Sequence, residues 1–167
     1  MNTGQVMLSI IAFAFLATVL VNFQNLVADN SDQMTDSHDV IIATSLASSY
    51  LETAQSMNFD EKTIDAPVDD PGGLTDPDHL GPEGEITMDG FDDFDDFNGF
   101  TKIDSAGANN GIFQSGFTVC YCDPEDINTI WSQTFLKRLD IKTWRIDRPI
   151  TYDTVRVFTT MGYFRFN

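Results

Sequence analysis

The chain has 167 residues, 42% apolar, with a net charge of −17 and two cysteines. That length suits one domain, or one domain with an appendage. A nucleic-acid partner and an anionic lipid surface are both excluded as docking targets, because each requires clustered Lys and Arg.

The charge is uneven and divides the chain. Residues 1–61 hold no Lys or Arg, residues 59–105 hold fifteen acidic residues against two lysines, and residues 135–167 carry seven of the nine basic residues. Three regions follow: a helical N-terminal stalk over 1–57, apolar over 1–27; an acidic loop-rich region over 58–110; and a strand-rich head over 111–167. The class this predicts is α+β, a long helix packed on a small antiparallel sheet.

The first element is the run TGQVMLSIIAFAFLATVLVNFQ, residues 3–24, which contains no charged residue. A secretory signal peptide pairs a basic start with a closing A-x-A site. Here the start is MNTG, and Ala12-Phe13-Ala14 lies in mid-run, so that fit is poor. A membrane span fits by length: Gln5 to Phe23 as a helix rises roughly 28 Å. No basic residue flanks it to set an orientation. The helical pattern does not stop there. From Phe23 to Met57 there is no Pro or Gly, and apolar residues recur at Phe23, Leu26, Val27, Met34, Ile41, Ile42, Leu46, Tyr50, Leu51, Ala54 and Met57, broadly the spacing of one helix stripe. One helix over 3–57 would be about 80 Å long. Its first half is apolar on every side and needs lipid or protein around it; its second half offers one stripe to a globular head.

This stalk resembles those of the type IV pilin superfamily, which includes pilins, minor pilins and secretion pseudopilins. The resemblance implies a subunit that sits in the inner membrane before assembly and is then built by pilus-type machinery into a helical homopolymer at the cell surface. The residues it assigns to the filament core are Gln5, Leu8, Ile10, Ile11, Phe13, Leu16, Leu20 and Phe23. It also points to processing after Gly4, which would start the mature chain at Gln5. The fifth position counted from there is Ser9, where the family usually carries Glu.

The next distinctive run is FDDFDDFNGF, residues 91–100, preceded by the turn Leu80-Gly81-Pro82-Glu83. It is similar to a run found in minor pilin-like proteins of the mannose-sensitive haemagglutinin type. In a helical turn, Phe91, Phe94 and Phe97 would share one face and the carboxylates the other; Asn98-Gly99 then supplies a turn. Two readings stay open. One is an aromatic latch that pins an acidic loop to the stalk. The other is a calcium site built from Asp92, Asp93, Asp95 or Asp96, since a hard cation takes several oxygen ligands. The spacing is not that of an EF-hand loop. No other cofactor is expected.

From Gly111 the period changes to two. Phe117, Val119 and Tyr121, then Leu139, Ile141 and Thr143, then Val155, Val157 and Thr159 alternate with their neighbours as in strands with one buried face. Pro149 separates the second from the third, and a short last strand is expected over 162–166. Cys120 and Cys122 are read as reduced thiols, with a strained bond and a metal pair as the other readings. His38 and His79 are read as solvated. No catalytic constellation, phosphate-binding glycine loop or zinc spacing appears, so an enzyme is not expected. Lys137, Arg138, Lys142, Arg145, Arg148 and Arg156 are expected to meet the acidic 59–105 region of a neighbouring head. The function these features imply is a structural subunit of a pilin-like extracellular filament. The alternative is a monomeric membrane-anchored surface domain that binds a ligand or calcium.

Overall fold

The computed structural model describes residues 2–105, 107, 111–148 and 154–164. Helix α1 runs Thr3–Gln55, and no Pro or Gly interrupts it after Gly4. The chain forms two units, Met1–His38 and Asp39–Asn167.

In the first unit the apolar side chains of α1 are all exposed, among them Ile11 at 68%, Phe13 at 71% and Phe15 at 70%. An 18-residue window of this helix has a mean hydropathy of 2.4 and no buried share, so it is long and apolar enough to cross a membrane. The hydroxyls inside it need no water. Ser9 Oγ donates to the Gln5 carbonyl and Thr18 Oγ1 to the Ala14 carbonyl, each at 2.9 Å.

In the second unit the end of α1 packs on a four-stranded antiparallel sheet of order β1-β2-β3-β4: β1 Thr101–Ser105, β2 Ile112–Tyr121, β3 Leu136–Arg145 and β4 Val155–Gly162. The predicted alternation holds in all three expected strands: Phe117, Val119, Tyr121, Leu139, Ile141 and Thr143 are buried, and Val155, Val157 and Thr159 are half-buried between exposed Arg156, Phe158 and Thr160. Pro149, and Arg165 and Phe166 of the last expected strand, lie outside the described residues. Strand β1 was not expected from the sequence.

The helix stripe matches the predicted one in part. Tyr50 and Ala54 are buried and Leu46, Leu51 and Met57 pack beside them, but Ala43 and Ala47 are the other apolar positions buried here, and Ile41 is 67% exposed. Small side chains suit this seam because bulk comes from the other side. Phe91, Phe94, Phe97 and Phe117 fill the space between helix and sheet, with Val119, Leu139 and Ile141 beneath. Phe97 and Phe100 each meet the Phe91 ring edge-on, at 5.2 and 5.0 Å. A second cluster joins Phe59, Leu74 and Tyr121 to Phe135 and Tyr163.

Between α1 and β1 the chain has a five-residue helix α2, Glu61–Asp65, and short 3₁₀ turns, including Met88–Gly90 and Asp95–Phe97. Asn98 binds two of the sequence's marked turns together: its amide donates to the Leu80 carbonyl at 3.0 Å and its Oδ1 accepts from Val119 N–H at 2.9 Å. The next residue turns at φ 75°, which Gly99 adopts without a Cβ penalty.

Candidate functional site

The run Phe91–Phe100 is where the head concentrates its chemistry. All three phenylalanines are buried, as a latch requires, but the carboxylates are not on an opposite, solvated face. Asp93, Asp95 and Asp96 are each about 1% exposed; Asp92 alone of the four is exposed. The reason is local hydrogen bonding. Asp93 Oδ1 accepts from the N–H groups of Asp95 and Asp96 at 2.8 and 3.2 Å, capping the 3₁₀ turn. Asp96 Oδ2 accepts from those of Asp92 and Asp93 at 3.0 and 3.4 Å. Asn58 joins from the end of the helical arm: its N–H donates to the Asp92 carbonyl and its own carbonyl accepts from Phe94 N–H.

Asp95 has a different partner. Lys137, fully buried on β3, donates to Asp95 Oδ1 at 2.5 Å, Asp60 Oδ2 at 2.8 Å and the Phe59 carbonyl at 3.0 Å. Its three protons are thereby used. The ammonium also lies 4.8 Å from the Phe59 ring centre and 5.2 Å from that of Tyr121. Asp60 caps α2 through Lys62 N–H and accepts from the Thr75 N–H and hydroxyl and from the Tyr121 hydroxyl. Burial works to raise the Asp60 pKa, but the Lys137 charge and these donors hold it below the ordinary value. Burial wins at Asp95, which is raised despite Lys137. Burial likewise pushes the Tyr121 hydroxyl far up, with Asp60 adding to the effect.

This placement of Lys137 overturns the expectation that it meets a neighbouring head. Its parity on β3 matches Leu139, Ile141 and Thr143, so it faces inward and must be paired there. Other basic residues are also engaged within one head: Arg138 with Asp140 at 2.8 Å and the Ile127 carbonyl at 2.7 Å, Arg145 with Asp39 at 2.8 Å and Asp147 at 2.6 Å, and Arg148 with Asp39. Lys142 and Arg156 are exposed.

Of the four calcium candidates, Asp95 is thus taken by Lys137. The other three divide between two carboxylate triads, Glu61–Asp92–Asp93 and Glu83–Glu85–Asp96, each with oxygens within 4.8 Å of one another. The glutamates were missed because they lie outside the run, Glu61 at the start of α2 and Glu83 and Glu85 in a loop. Four buried oxygens here meet no hydrogen-bond partner: Glu85 Oε2, Asp93 Oδ2, Asp95 Oδ2 and Asp96 Oδ1. Burial, then neighbouring carboxylates, raises Glu83 to about 7 and Asp93 well above its ordinary value; Asp96 and Glu61 are also raised, burial first.

Elsewhere, Cys120 and Cys122 are free thiols, and burial raises both, Cys122 to about 11. His38 and His79 are exposed. Gly4, Gln5, Leu8, Ile10, Ile11, Phe13, Leu16, Leu20 and Phe23 all lie exposed on α1. Compared with protein-family models, with curated proteins and with solved structures, the chain matches none.

Proposed function

We propose that this chain is the structural subunit of a pilin-like extracellular filament, held in the membrane before assembly and polymerised through the apolar start of α1 by pilus-type machinery. The observation that carries this reading is α1 itself. It continues without a break from an all-round apolar segment, none of whose apolar window is buried, to residues that pack on the sheet of the head. An anchor needs only about 20 apolar residues; a helix more than twice that length suits a polymer whose core is helical and whose surface is made of heads. At roughly 25 cal/mol per Å² of apolar surface, mutual burial of such segments is enough to hold subunits together. Residues Gln5, Leu8, Ile10, Ile11, Phe13, Leu16, Leu20 and Phe23 form the core contacts in this reading.

Phe13→Asp tests it. A buried unpaired charge costs several kcal/mol per subunit, repeated along the polymer. Electron microscopy of shed material is expected to show filaments from the unaltered chain and none from the variant, while the variant's head keeps its thermal melt. Normal filaments from Phe13→Asp cells would sink the reading. A chain that never leaves the membrane, even unaltered, would favour the surface-anchored alternative, which the span-like composition of α1 also suits.

A further inference from the structure

We propose that Glu83, Glu85 and Asp96 bind a calcium ion, which fastens the loop over residues 80–87 to the aromatic core. Clustered carboxylates alone would say little, since acidic loops are ordinarily solvated. Here Glu83 is exposed and Glu85 half-buried, but Asp96 closes the cluster from inside the head. Asp96 is about 1% exposed, and while its Oδ2 accepts two backbone N–H groups, its Oδ1 meets no donor. Glu85 Oε2 is also buried without a partner. Two of the three residues in one triad therefore present an oxygen that has lost water and gained nothing, which is costly for a carboxylate.

Two cations lie near it. Lys137 is saturated by Asp60, Asp95 and the Phe59 carbonyl, and Lys62, which lines an open pocket with Glu83, makes no ion pair with the triad. The neighbouring triad Glu61–Asp92–Asp93 adds carboxyl groups and a further buried oxygen without a hydrogen-bond partner, on Asp93. A divalent cation is the chemistry that answers both deficits at once.

The ligand type selects among cations. Three oxygens within 4.8 Å of one another leave a central point at most about 2.8 Å from each, within reach of the 2.3–2.6 Å of calcium–oxygen bonds. Calcium accepts irregular sets of loop carboxylates, whereas magnesium, at about 2.0–2.1 Å, demands strict octahedral geometry and keeps several waters. An all-carboxylate set also disfavours zinc, which takes nitrogen and sulfur ligands.

The consequence for the fold is specific. Glu83 and Glu85 lie on a loop whose fixed point is the Asn98–Leu80 hydrogen bond, and Asp96 sits in the turn between buried Phe94 and Phe97. An ion shared between them is a second fastening for that loop.

The test uses the full chain in detergent micelles, stripped with a chelator and titrated with calcium chloride by calorimetry and by thermal melting; it needs no filament, so it stands apart from the polymer reading. Saturable binding tighter than about 1 mM is expected, in the range of extracellular calcium modules, with magnesium at least ten-fold weaker and a higher melting temperature in calcium. Glu83→Gln and Glu85→Gln should each weaken calcium at least ten-fold while the chelated protein melts no lower than the unaltered chain. No heat and no shift at 10 mM calcium overturns the proposal. So does unchanged affinity in the Glu83→Gln, Glu85→Gln double variant, because the ion would then sit elsewhere.

Discussion

Two regions of this molecule invert the usual rule of inside and outside. In α1, Phe13, Phe15 and Phe23 are apolar and exposed; in the turn at 91–97, Asp93, Asp95 and Asp96 are charged by type and buried. Each inversion names what is needed to resolve it. The exposed apolar segment needs a surrounding that the single chain does not supply, lipid or its own copies. The buried carboxylates are resolved in part within the chain, by Lys137 and by backbone N–H groups, and their remaining oxygens call for a cation. Burial alone therefore does not mark the core of this protein; the pairing of what is buried does.

The sharpest way to break that contrast is to remove the internal partner. Lys137→Ala leaves Asp60 and Asp95 facing each other in the dry centre, and loss of one partner from a buried pair costs about 3–5 kcal/mol. Denaturant unfolding of the full chain in micelles, followed by Trp131 and Trp144 fluorescence, should show it; a change under 1 kcal/mol would mean that the centre is open to water. A smaller effect contrasts the two parts of α1. Ala47→Leu forces bulk into the seam between helix and aromatic cluster and is expected to cost about 1–3 kcal/mol. The same change at exposed Ala17 should leave the head's unfolding where it was. Equal effects at the two positions would dissolve the distinction.

The smallest effect is in pH. In chelator, Glu83 and Asp93 hold protons in the folded state that they have released when unfolded, because their folded pKa values lie above the ordinary 4.5 and 3.8. The stability that these protons contribute is full near pH 4 and is lost as pH rises through about 7 and beyond. Asp60, lowered, works the other way and withdraws its contribution only as pH falls below the ordinary carboxylate range. The melting temperature of the chelated protein should therefore fall by a few degrees between pH 5 and pH 9. A melting temperature that stays level across that interval would mean that these carboxyls are ionised in the fold throughout.

Periodicity made the helix and three strands legible, since each presents a face of one chemistry over many residues. Strand β1, TKIDS, was not, because five residues with half-buried Lys102 and Asp104 carry no apolar face to read. The seam positions Ala43 and Ala47 were hidden for a related reason: small residues look neutral until their aromatic partners are known. The buried lysine did leave a trace in its parity with Leu139 and Ile141, and an inward-facing charge on a strand should prompt a search for carboxylates to receive it. What no local pattern carries is the meeting of Asp96 with Glu83 and Glu85, because loop closure brings them together.

The strand order of the sheet has a kinetic side. Each strand pairs with the one that follows it in the chain, from Thr101↔Gly116 to Leu136↔Gly162, so every rung closes a modest loop at modest entropic cost. The ties that lock the centre reach much farther: Lys137 to Asp60 spans 77 residues and Lys137 to Asp95 spans 42. A meander of this kind gains its backbone pairing from local encounters, and the long-range search is left to the end of α1 meeting the sheet and to ties such as Lys137 with its two carboxylates and Arg145 with Asp39.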